Sequence, residues 1–404
     1  MALNPDAPGK KLGPFTREYT WKDAVLYALG VGAGFSEPEY CYEKNLKVVP
    51  SFSIAAIFDL FFEVGRAANV NLAGVLHGEQ ALIFHAPVPT EGTLSTEGKI
   101  THYYDKGEGK GALVVAESET CDAVGQKLFT STFTLFSRLD GGFGGEDAPG
   151  NRVVYPDREP DFAVRATPSE DQPLLYRLSG DLFQLHVDPE FARMAGFERP
   201  IMHGLCTHGY ACRALIASLT PQAPERVRRF DCRFSSPLYP GVPVETRIWK
   251  TGAGKAVWET VNAETGEVVI TNGIFEYGDP PQHGNRKKEE SPGAAGPADG
   301  QAVAAAFKAL GNAFIPAAAQ REEAVFQFRI SGDGGAWYCV VREGECMIRA
   351  GVHDAPSCTL EMADADFIAM ISGTLPPVQA FSAGKLQISG DVMKALLIEK
   401  MFRI

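Results

Sequence analysis

The chain has 404 residues, of which 45% are hydrophobic and 22% charged, a balance typical of globular proteins with a sizeable core. Its length predicts two or three domains. The formal net charge of -12 argues against a nucleic-acid partner, which usually needs a basic face, but it still allows an anionic substrate bound by a local cluster of Lys and Arg.

The eight cysteines form no CxxC pair, so we expect free thiols in a reducing, intracellular compartment and no metal site. The N-terminal residues contain no apolar run of the kind that a secretory signal requires. No stretch is long and apolar enough to span a bilayer. The last residues, Lys400–Ile404, do not form a recognisable targeting tripeptide.

The first half of the chain contains a segment that recurs later. Phe84–Pro87, with Gly92 following, resembles Phe234–Pro237, with Gly241 following, and the two prolines are 150 residues apart (237 - 87). Each segment follows an apolar helical pattern and precedes alternating strand patterns. The pattern therefore predicts an internal repeat.

Apolar helices support the same repeat. Residues 204–219 are apolar on nearly all sides, which is typical of a buried helix, and residues 51–65 look similar. Each half is then predicted to be one long buried helix wrapped by antiparallel strands. This α+β architecture is called a hot dog, and two halves form a double hot dog.

The composition of two segments predicts the domain boundaries. Pro, Gly, Ala and charged residues dominate residues 281–300, as is typical of a linker. The glycine-rich stretch Gly141–Gly145 marks a weaker boundary. We therefore predict an N-terminal hot dog, a C-terminal hot dog, the linker and a small α+β domain, over residues 1–145, 146–280, 281–300 and 301–404.

Chemistry-bearing residues precede the second buried helix. Asp181 and His186 are five residues apart across a turn, a plausible spacing for two side chains that converge on one cavity. A carboxylate and an imidazole that reach one water can deprotonate it while protonating a carbon atom. Gly204 begins the helix, where backbone N–H groups stabilise developing negative charge. The same residue types also occur in purely structural roles, such as a core His203.

The segment Tyr176–Thr207 resembles the hydratase 2 motif of the MaoC-like family. The wider resemblance extends from about Phe15 to Phe402 and includes the sterol carrier protein 2 family, the arrangement of peroxisomal multifunctional enzymes of type 2. It implies a hydro-lyase that converts trans-2-enoyl-CoA into (3R)-3-hydroxyacyl-CoA in fatty acid β-oxidation. Asp181 and His186 would be the acid/base pair and the Gly204 N–H the oxyanion donor. No cofactor is implied, because coenzyme A is part of the substrate.

One departure concerns the family pattern D-x-N-P-L-H, in which Phe183 replaces the Asn and Gln184 replaces the Pro. Phenylalanine cannot form the hydrogen bonds of an amide. Either Gln184 takes over, another group does, or activity is weakened. The alternative function is therefore an acyl-CoA or lipid binding or transfer protein with an impaired hydratase site. A hot-dog thioesterase is a third hypothesis, which the close match to the hydratase motif disfavours.

The resemblance also implies further contacts, one position at a time. In the first half, His77 and Gly78 would contact substrate, and Lys106 would meet the phosphates of coenzyme A, as a point-charge ammonium can. The first half lacks an Asp-x4-His segment, so it is free to bind the acyl chain. The full set of expected substrate contacts is His77, Gly78, Lys106, Leu182, Phe183, Gln184, Leu185 and Phe234.

Residues 301–404 read as helix, strands, helix, strand, helix and are similar to the sterol carrier protein 2 family. We expect this domain to bind a lipid, mainly by apolar burial. The resemblance further implies a homodimer and a peroxisomal location, or a cytoplasmic one in the absence of a targeting tripeptide. A dehydrogenase domain is missing, so a separate 3-hydroxyacyl-CoA dehydrogenase is expected to catalyse the next step.

Overall fold

The computed structural model divides the chain into two compact units. The first comprises Met1–Tyr42 and Leu46–Gly284, and the second comprises Glu43–Asn45 and Asn285–Ile404. Apart from Gly300, the predicted linker 281–300 lies outside the described residues. The structure describes residues 3–55, 58–71, 74–150, 152–279, 300–320, 323–375, 377, 380, 385–395 and 397–402.

All eight cysteines are free thiols, as the sequence predicted. Among the described residues, none of the helices has the length and apolar character needed to cross a membrane.

A single ten-stranded antiparallel sheet forms the first unit, in the order β1-β3-β4-β5-β2-β7-β10-β9-β8-β6. Its alternating apolar and polar residues place one face against the helices, as expected for a half-buried sheet. The strands are β1 Lys11–Tyr19, β2 Val75–Phe84, β3 Gly92–Asp105, β4 Ala112–Asp122, β5 Lys127–Ser137, β6 Phe162–Ala166, β7 Val227–Phe234, β8 Val244–Gly252, β9 Lys255–Asn262 and β10 Val268–Tyr277.

The strand order repeats. From edge to centre, the first half reads β1-β3-β4-β5-β2 and the second reads β6-β8-β9-β10-β7, which is the same order shifted by five strands. The halves meet where β2 pairs with β7, with Ala81 opposite Asp231. Phe84 ends β2 and Phe234 ends β7, the positions that the repeated segments predicted. The predicted double hot dog is confirmed.

The helices of the first unit cover one face of the sheet. The longest, α6, has the bounds that the sequence predicted; it packs on β6, β7, β8 and β10, and 12 of its 16 residues are buried. The apolar segment 51–65 of the first half contributes α2 and part of α3, and residues 56–57 between them lie outside the described part of the chain. The bounds are α1 Trp21–Gly30, α2 Phe52–Ala55, α3 Phe58–Ala68, α4 Gln172–Tyr176, α5 Pro189–Met194 and α6 Gly204–Leu219.

The short helix α5 begins with a side-chain cap. One Asp188 carboxylate oxygen accepts hydrogen bonds from the backbone N–H groups of Glu190 and Phe191, at 2.8 and 3.2 Å. Pro189 occupies the first helical position, where its missing N–H costs nothing. The cap stabilises the start of α5, which follows the segment that contains His186.

The second unit has its own five-stranded sheet, in the order β13-β12-β11-β14-β15, with β11 and β14 parallel. The rings of Phe307, Phe328 and Phe367 pack at its centre. The predicted order of helix, strands, helix, strand and helix is confirmed, although residues 381–384 lie outside the described part. The elements are α7 Gly300–Asn312, β11 Ala324–Ser331, β12 Gly335–Arg342, β13 Glu345–Ala350, β14 Cys358–Ala363, α8 Asp364–Ile371, β15 Leu386–Gly390, α9 Val392–Ala395 and α10 Leu397–Met401.

Candidate active site

A mainly apolar cavity of about 350 Å³ lies within the first unit, and both halves contribute to its wall. The first half supplies α3 and the start of β2, and the second supplies the start of α6, the end of β7 and the segment after Gly180. Of the predicted site residues, seven line this cavity: His77, Asp181, Phe183, Leu185, His186, Gly204 and Phe234.

The two predicted acid/base residues meet at the cavity wall. Gly180 has a φ of 135°, which favours glycine, and it turns the chain just before Asp181. A short 3₁₀ turn, Gln184–His186, then brings the imidazole back towards the carboxylate. Ligand-type atoms of Asp181, His186 and His203 all lie within 4.8 Å of one another. The five-residue spacing therefore produces the predicted convergence.

Hydrogen bonds fix the orientation of both groups. The Nδ1–H of His186 donates to the backbone carbonyl of Ile201, at 2.9 Å. In the neutral ring this leaves Nε2 as the proton acceptor. The backbone N–H of Phe183 donates to a carboxylate oxygen of Asp181, at 3.2 Å. His186 is thus prepared to accept a proton, and Asp181 is held by the backbone.

Burial shifts the pKa values of the pair towards each other. It raises the pKa of Asp181, which His186 opposes, and lowers the pKa of His186, which Asp181 opposes. Burial thus disfavours the charged form of each group, while the charge of each favours the charged form of the other. Such a pair suits a reaction in which one proton is taken up and another released.

His203 lies behind this pair. Its Nε2–H donates to the backbone carbonyl of Asp181, at 3.2 Å, and its ring lies between those of His186 and Tyr176, with centroids 3.8 and 4.9 Å away. Burial lowers the pKa of His203 to about 2, so the ring is neutral. The sequence indicated a core residue beside Gly204, but no sequence signal indicated the contact with His186.

Gly204 is the first residue of α6 and lines the cavity. The first N–H groups of a helix have no intrahelical acceptor, and the helix dipole makes this end favourable for negative charge. A side-chain carbon at position 204 would lie 3.1 Å from Cδ1 of Phe234, closer than an ordinary contact. Glycine therefore leaves the helix start open to a group in the cavity.

The motif residues between Asp181 and His186 alternate in direction. Phe183 and Leu185 line the cavity, whereas Leu182 and Gln184 are exposed and do not line it. The Phe183 ring packs edge-on against Phe191, with centroids 5.3 Å apart. Gln184 is therefore not placed to replace the Asn of the family pattern.

In the first half, His77 lies between the rings of Phe61 and Phe234, with centroids 5.0 and 5.2 Å away. Burial lowers its pKa to about 4, and its Nε2 is 3.1 Å from the carbonyl oxygen of Glu79. Gly78 occupies a bulge in the pairing of β2 with β5 and does not line the cavity. The structure thus brings His77, but not Gly78, to the predicted site.

Lys106 is exposed and does not line the cavity, and its Nζ is 5.7 Å from the ring centroid of Phe136. The preceding Asp105 accepts hydrogen bonds from the backbone N–H groups of Gly142, Gly107 and Gly144. These bonds lower the pKa of Asp105 to about 2. The turn that carries Lys106 is therefore tied to the segment that connects the two halves.

Asp181, His186 and His203 are also the one group of His, Cys, Asp and Glu side chains, within the described part of the chain, with spacing suited to a metal ion. The rings of His186 and His203 are stacked, at an interplanar angle of 27°. Lone pairs of imidazole nitrogens lie in the ring plane, so those of two stacked rings are nearly parallel and converge poorly on one ion. The arrangement fits proton transfer better than metal binding.

Comparison with known families assigns three consecutive regions of the chain. Residues 17–139 match the MFE-2 hydratase 2 N-terminal domain, residues 152–273 match the MaoC like domain, and residues 307–403 match the SCP-2 sterol transfer family.

Individual relatives agree with this assignment. The chain is 39% identical to 3-hydroxyacyl-thioester dehydratase Y of Mycobacterium tuberculosis, over 69% of this chain and 99% of that protein. It is 32% identical to the mouse peroxisomal multifunctional enzyme type 2, over 98% of this chain and 55% of that protein. The crystal structure of a MaoC-like dehydratase from Phytophthora capsici has 33% identity and a TM-score of 0.61, covering 68% of this chain and 96% of that one. The chain therefore belongs to the MaoC-like hydratase 2 family and carries a C-terminal domain of the SCP-2 sterol transfer family.

Proposed function

We propose that the chain is a hydro-lyase that adds water to trans-2-enoyl-CoA and forms (3R)-3-hydroxyacyl-CoA. The observation that carries the proposal is the convergence of Asp181 and His186 at an apolar cavity whose wall also contains the Gly204 helix start. Family membership supports the hydratase class, and several relatives are named enoyl-CoA hydratases, including one from Dictyostelium discoideum. The (3R) configuration is carried over from the family resemblance.

In this mechanism, water lies between the carboxylate of Asp181 and Nε2 of His186. The pair takes a proton from the water as its oxygen bonds to C3, and the pair delivers a proton to C2, so that it returns to its starting protonation state. Negative charge develops on the thioester oxygen during the addition. The N–H of Gly204 at the helix start stabilises this charge, and the apolar surroundings strengthen the interaction.

The replacement of Asn by Phe183 is compatible with this mechanism. The Asp181 carboxylate is oriented by the backbone N–H of residue 183, which any residue other than proline provides. The Phe183 ring lies against Phe191 and adds apolar surface to the cavity wall. We therefore expect the missing Asn amide to lower the rate moderately and to leave the type of reaction unchanged.

The proposal also covers the roles of the three domains, the pathway, the oligomeric state and the location. Residues 1–145 would form the acyl-binding half, residues 146–280 the catalytic half and residues 301–404 a lipid-binding domain. The reaction would serve fatty acid β-oxidation, in a homodimer whose product would pass to a 3-hydroxyacyl-CoA dehydrogenase. A peroxisomal location is supported by the relatives that are named peroxisomal.

A second candidate function rests on Phe183 itself, because a phenyl ring cannot hold a water by hydrogen bonding. In that case the chain would bind or transfer acyl-CoA without turnover. Incubation with trans-2-decenoyl-CoA and chiral analysis of the product separates the two functions. Rapid formation of the (3R) alcohol is the result expected. Folded protein that binds decanoyl-CoA tightly without turnover of the enoyl substrate would favour the second candidate.

A further inference from the structure

One face of α3 forms a continuous part of the cavity wall. Phe58, Phe61, Phe62 and Gly65 all line the cavity, and their spacing of i, i+3, i+4 and i+7 places them on one side of the helix. At about 100° per residue, position 65 points between positions 61 and 62. Three phenyl rings therefore surround a position without a side chain.

The backbone does not require a glycine here. Gly65 is buried within α3 and has helical geometry, so no left-handed conformation explains it. Glycine inside a helix is about 1 kcal/mol less favourable than alanine. Gly65 lines the cavity, so the aromatic wall has no side chain at this position, which we call the gap.

The gap lies at a defined distance from the reacting groups. Phe58 marks the catalytic end of α3, because a side-chain carbon at Gly180, the residue before Asp181, would lie 2.7 Å from Cδ2 of Phe58. Gly65 is seven residues further along, which at 1.5 Å per residue is about 10 Å. An extended alkyl chain advances about 1.3 Å per carbon, given C–C bonds of about 1.5 Å, so about eight carbons span this distance.

The side chains that line the cavity indicate which part of the substrate lies along α3. The α3 face presents phenyl rings and no hydrogen-bonding side chain, and amide groups are costly to bury without partners. On the other wall, Thr207, Ser235 and Ser236 supply hydroxyl groups that suit the amide-containing arm of coenzyme A. The acyl chain is thus the part that fits against α3.

We propose that Gly65 determines the length of acyl chain that the site accepts, by leaving room for chains that continue past the three phenyl rings. This inference rests on the proposed hydratase function and assigns its substrate class as 2-enoyl thioesters with acyl chains of about eleven carbons or more, from the helix rise and bond lengths above. Shorter chains end before Gly65 and do not use the gap.

The test compares trans-2-butenoyl-CoA with trans-2-hexadecenoyl-CoA in the full chain. Gly65→Leu fills the gap, and we expect it to lower kcat/KM for the long substrate by on the order of tenfold or more and for the short one by less than about twofold. Gly65→Ala adds one methyl group and should shift the ratio in the same direction by less. Arg66→Leu places the same leucine side chain at the next position, which is exposed and outside the cavity, so its ratio should equal that of the wild type.

An equal loss for both substrates in folded Gly65→Leu, or an unchanged ratio, would overturn the inference. Should Gly65→Leu fail to fold, Gly65→Ala decides the question, because helix propensity favours alanine. Dissociation constants of the saturated butanoyl-CoA and hexadecanoyl-CoA test the same dependence on chain length without turnover. Wild-type protein that hydrates neither enoyl substrate contradicts the proposed function, whereas normal turnover with unshifted variant ratios contradicts only the assignment of Gly65.

Discussion

The imidazole rings of His186 and His203 are stacked, with their centroids 3.8 Å apart and their planes inclined by 27°. His203 also donates a hydrogen bond to the backbone carbonyl of Asp181, so one buried ring contacts both members of the proposed acid/base pair. Two positively charged rings at this distance would repel each other. The neutral state of His203, whose pKa burial lowers to about 2, avoids that repulsion.

His203→Ala should therefore change the pH dependence of the reaction. Removal of the ring opens His186 to water, and because burial is what lowers the His186 pKa, that pKa should rise. The base form of His186 is then lost at a higher pH, so the acidic limb of kcat/KM moves upwards. His203→Gln, which can still donate to the Asp181 carbonyl, should keep more activity than His203→Ala. Identical pH profiles in the wild type and both variants would limit His203 to a packing role.

Asp181→Asn and His186→Gln should each lower kcat by on the order of 100-fold or more, because each removes one proton-transfer group. Circular dichroism and thermal unfolding would establish that the variants are folded. Asp188→Ala is the matched control: it removes a helix cap, which costs about 1 kcal/mol of stability, but its side chain does not line the cavity. Near-wild-type turnover by either dyad variant would remove that residue from the mechanism.

Phe183→Asn restores the family residue and tests how much the amide contributes. We expect kcat to rise by less than about tenfold, or about 1.4 kcal/mol, because the backbone already orients the Asp181 carboxylate. The measurement is steady-state turnover of trans-2-decenoyl-CoA. A gain of several hundredfold would instead identify the natural protein as impaired at this site.

Lys106→Ala should raise KM for enoyl-CoA with little change in kcat, as expected when a contact to a distant phosphate is removed. Lys110, an exposed lysine of the same turn, supplies the control variant Lys110→Ala. The effect of Lys106→Ala should weaken as salt is added, because salt screens exposed charges. Equal KM values for the two variants would show that Lys106 makes no specific contact.

Asp105→Asn should lower stability at neutral pH, since the ionised carboxylate accepts several backbone hydrogen bonds. The pKa of Asp105 is lowered to about 2 in the folded chain, so its contribution is complete above the unfolded pKa of about 3.9 and is lost as pH falls towards 2. Urea unfolding midpoints of wild type and variant should therefore converge over this range. A constant difference between pH 7 and pH 2 would contradict this explanation.

Removal of residues 283–404 should leave hydration of trans-2-butenoyl-CoA intact, because the two compact units have separate apolar cores. The fragment should unfold cooperatively in a thermal scan. Loss of turnover in a fragment that remains folded would show that the C-terminal domain contributes to the reaction.

The architecture and the convergence of Asp181 and His186 could be predicted because their signals are local in sequence. The apolar pattern of α6 and the repeated Phe84–Pro87 and Phe234–Pro237 segments correspond directly to elements of the fold. The sequence predicted substrate contacts for Leu182 and Gln184, but both side chains are exposed. The backbone at Phe183 is extended, so the side chains on either side of it point away from the cavity that Phe183 lines.

Contacts between residues that are distant in the sequence could not be predicted. His203 is 17 residues from His186, and only the packing of α6 against the preceding segment stacks the two rings. Gly65 reads as an ordinary helix residue until the cavity beside it is known. The position of Lys106 outside the cavity likewise follows from the folded arrangement and has no signal in the local sequence.

The seam between β2 and β7 joins two copies of one architecture into a single covalent chain. In an assembly of identical hot dogs, every change in one copy is repeated in the other, so each copy must keep its catalytic turn and its long helix. Here the copies are free to differ. One copy carries the 16-residue helix α6 and the Asp181 turn, while in the other one side of α3 lines the cavity. The half without the Asp181 turn can therefore change the shape of the cavity wall without altering the proposed catalytic residues.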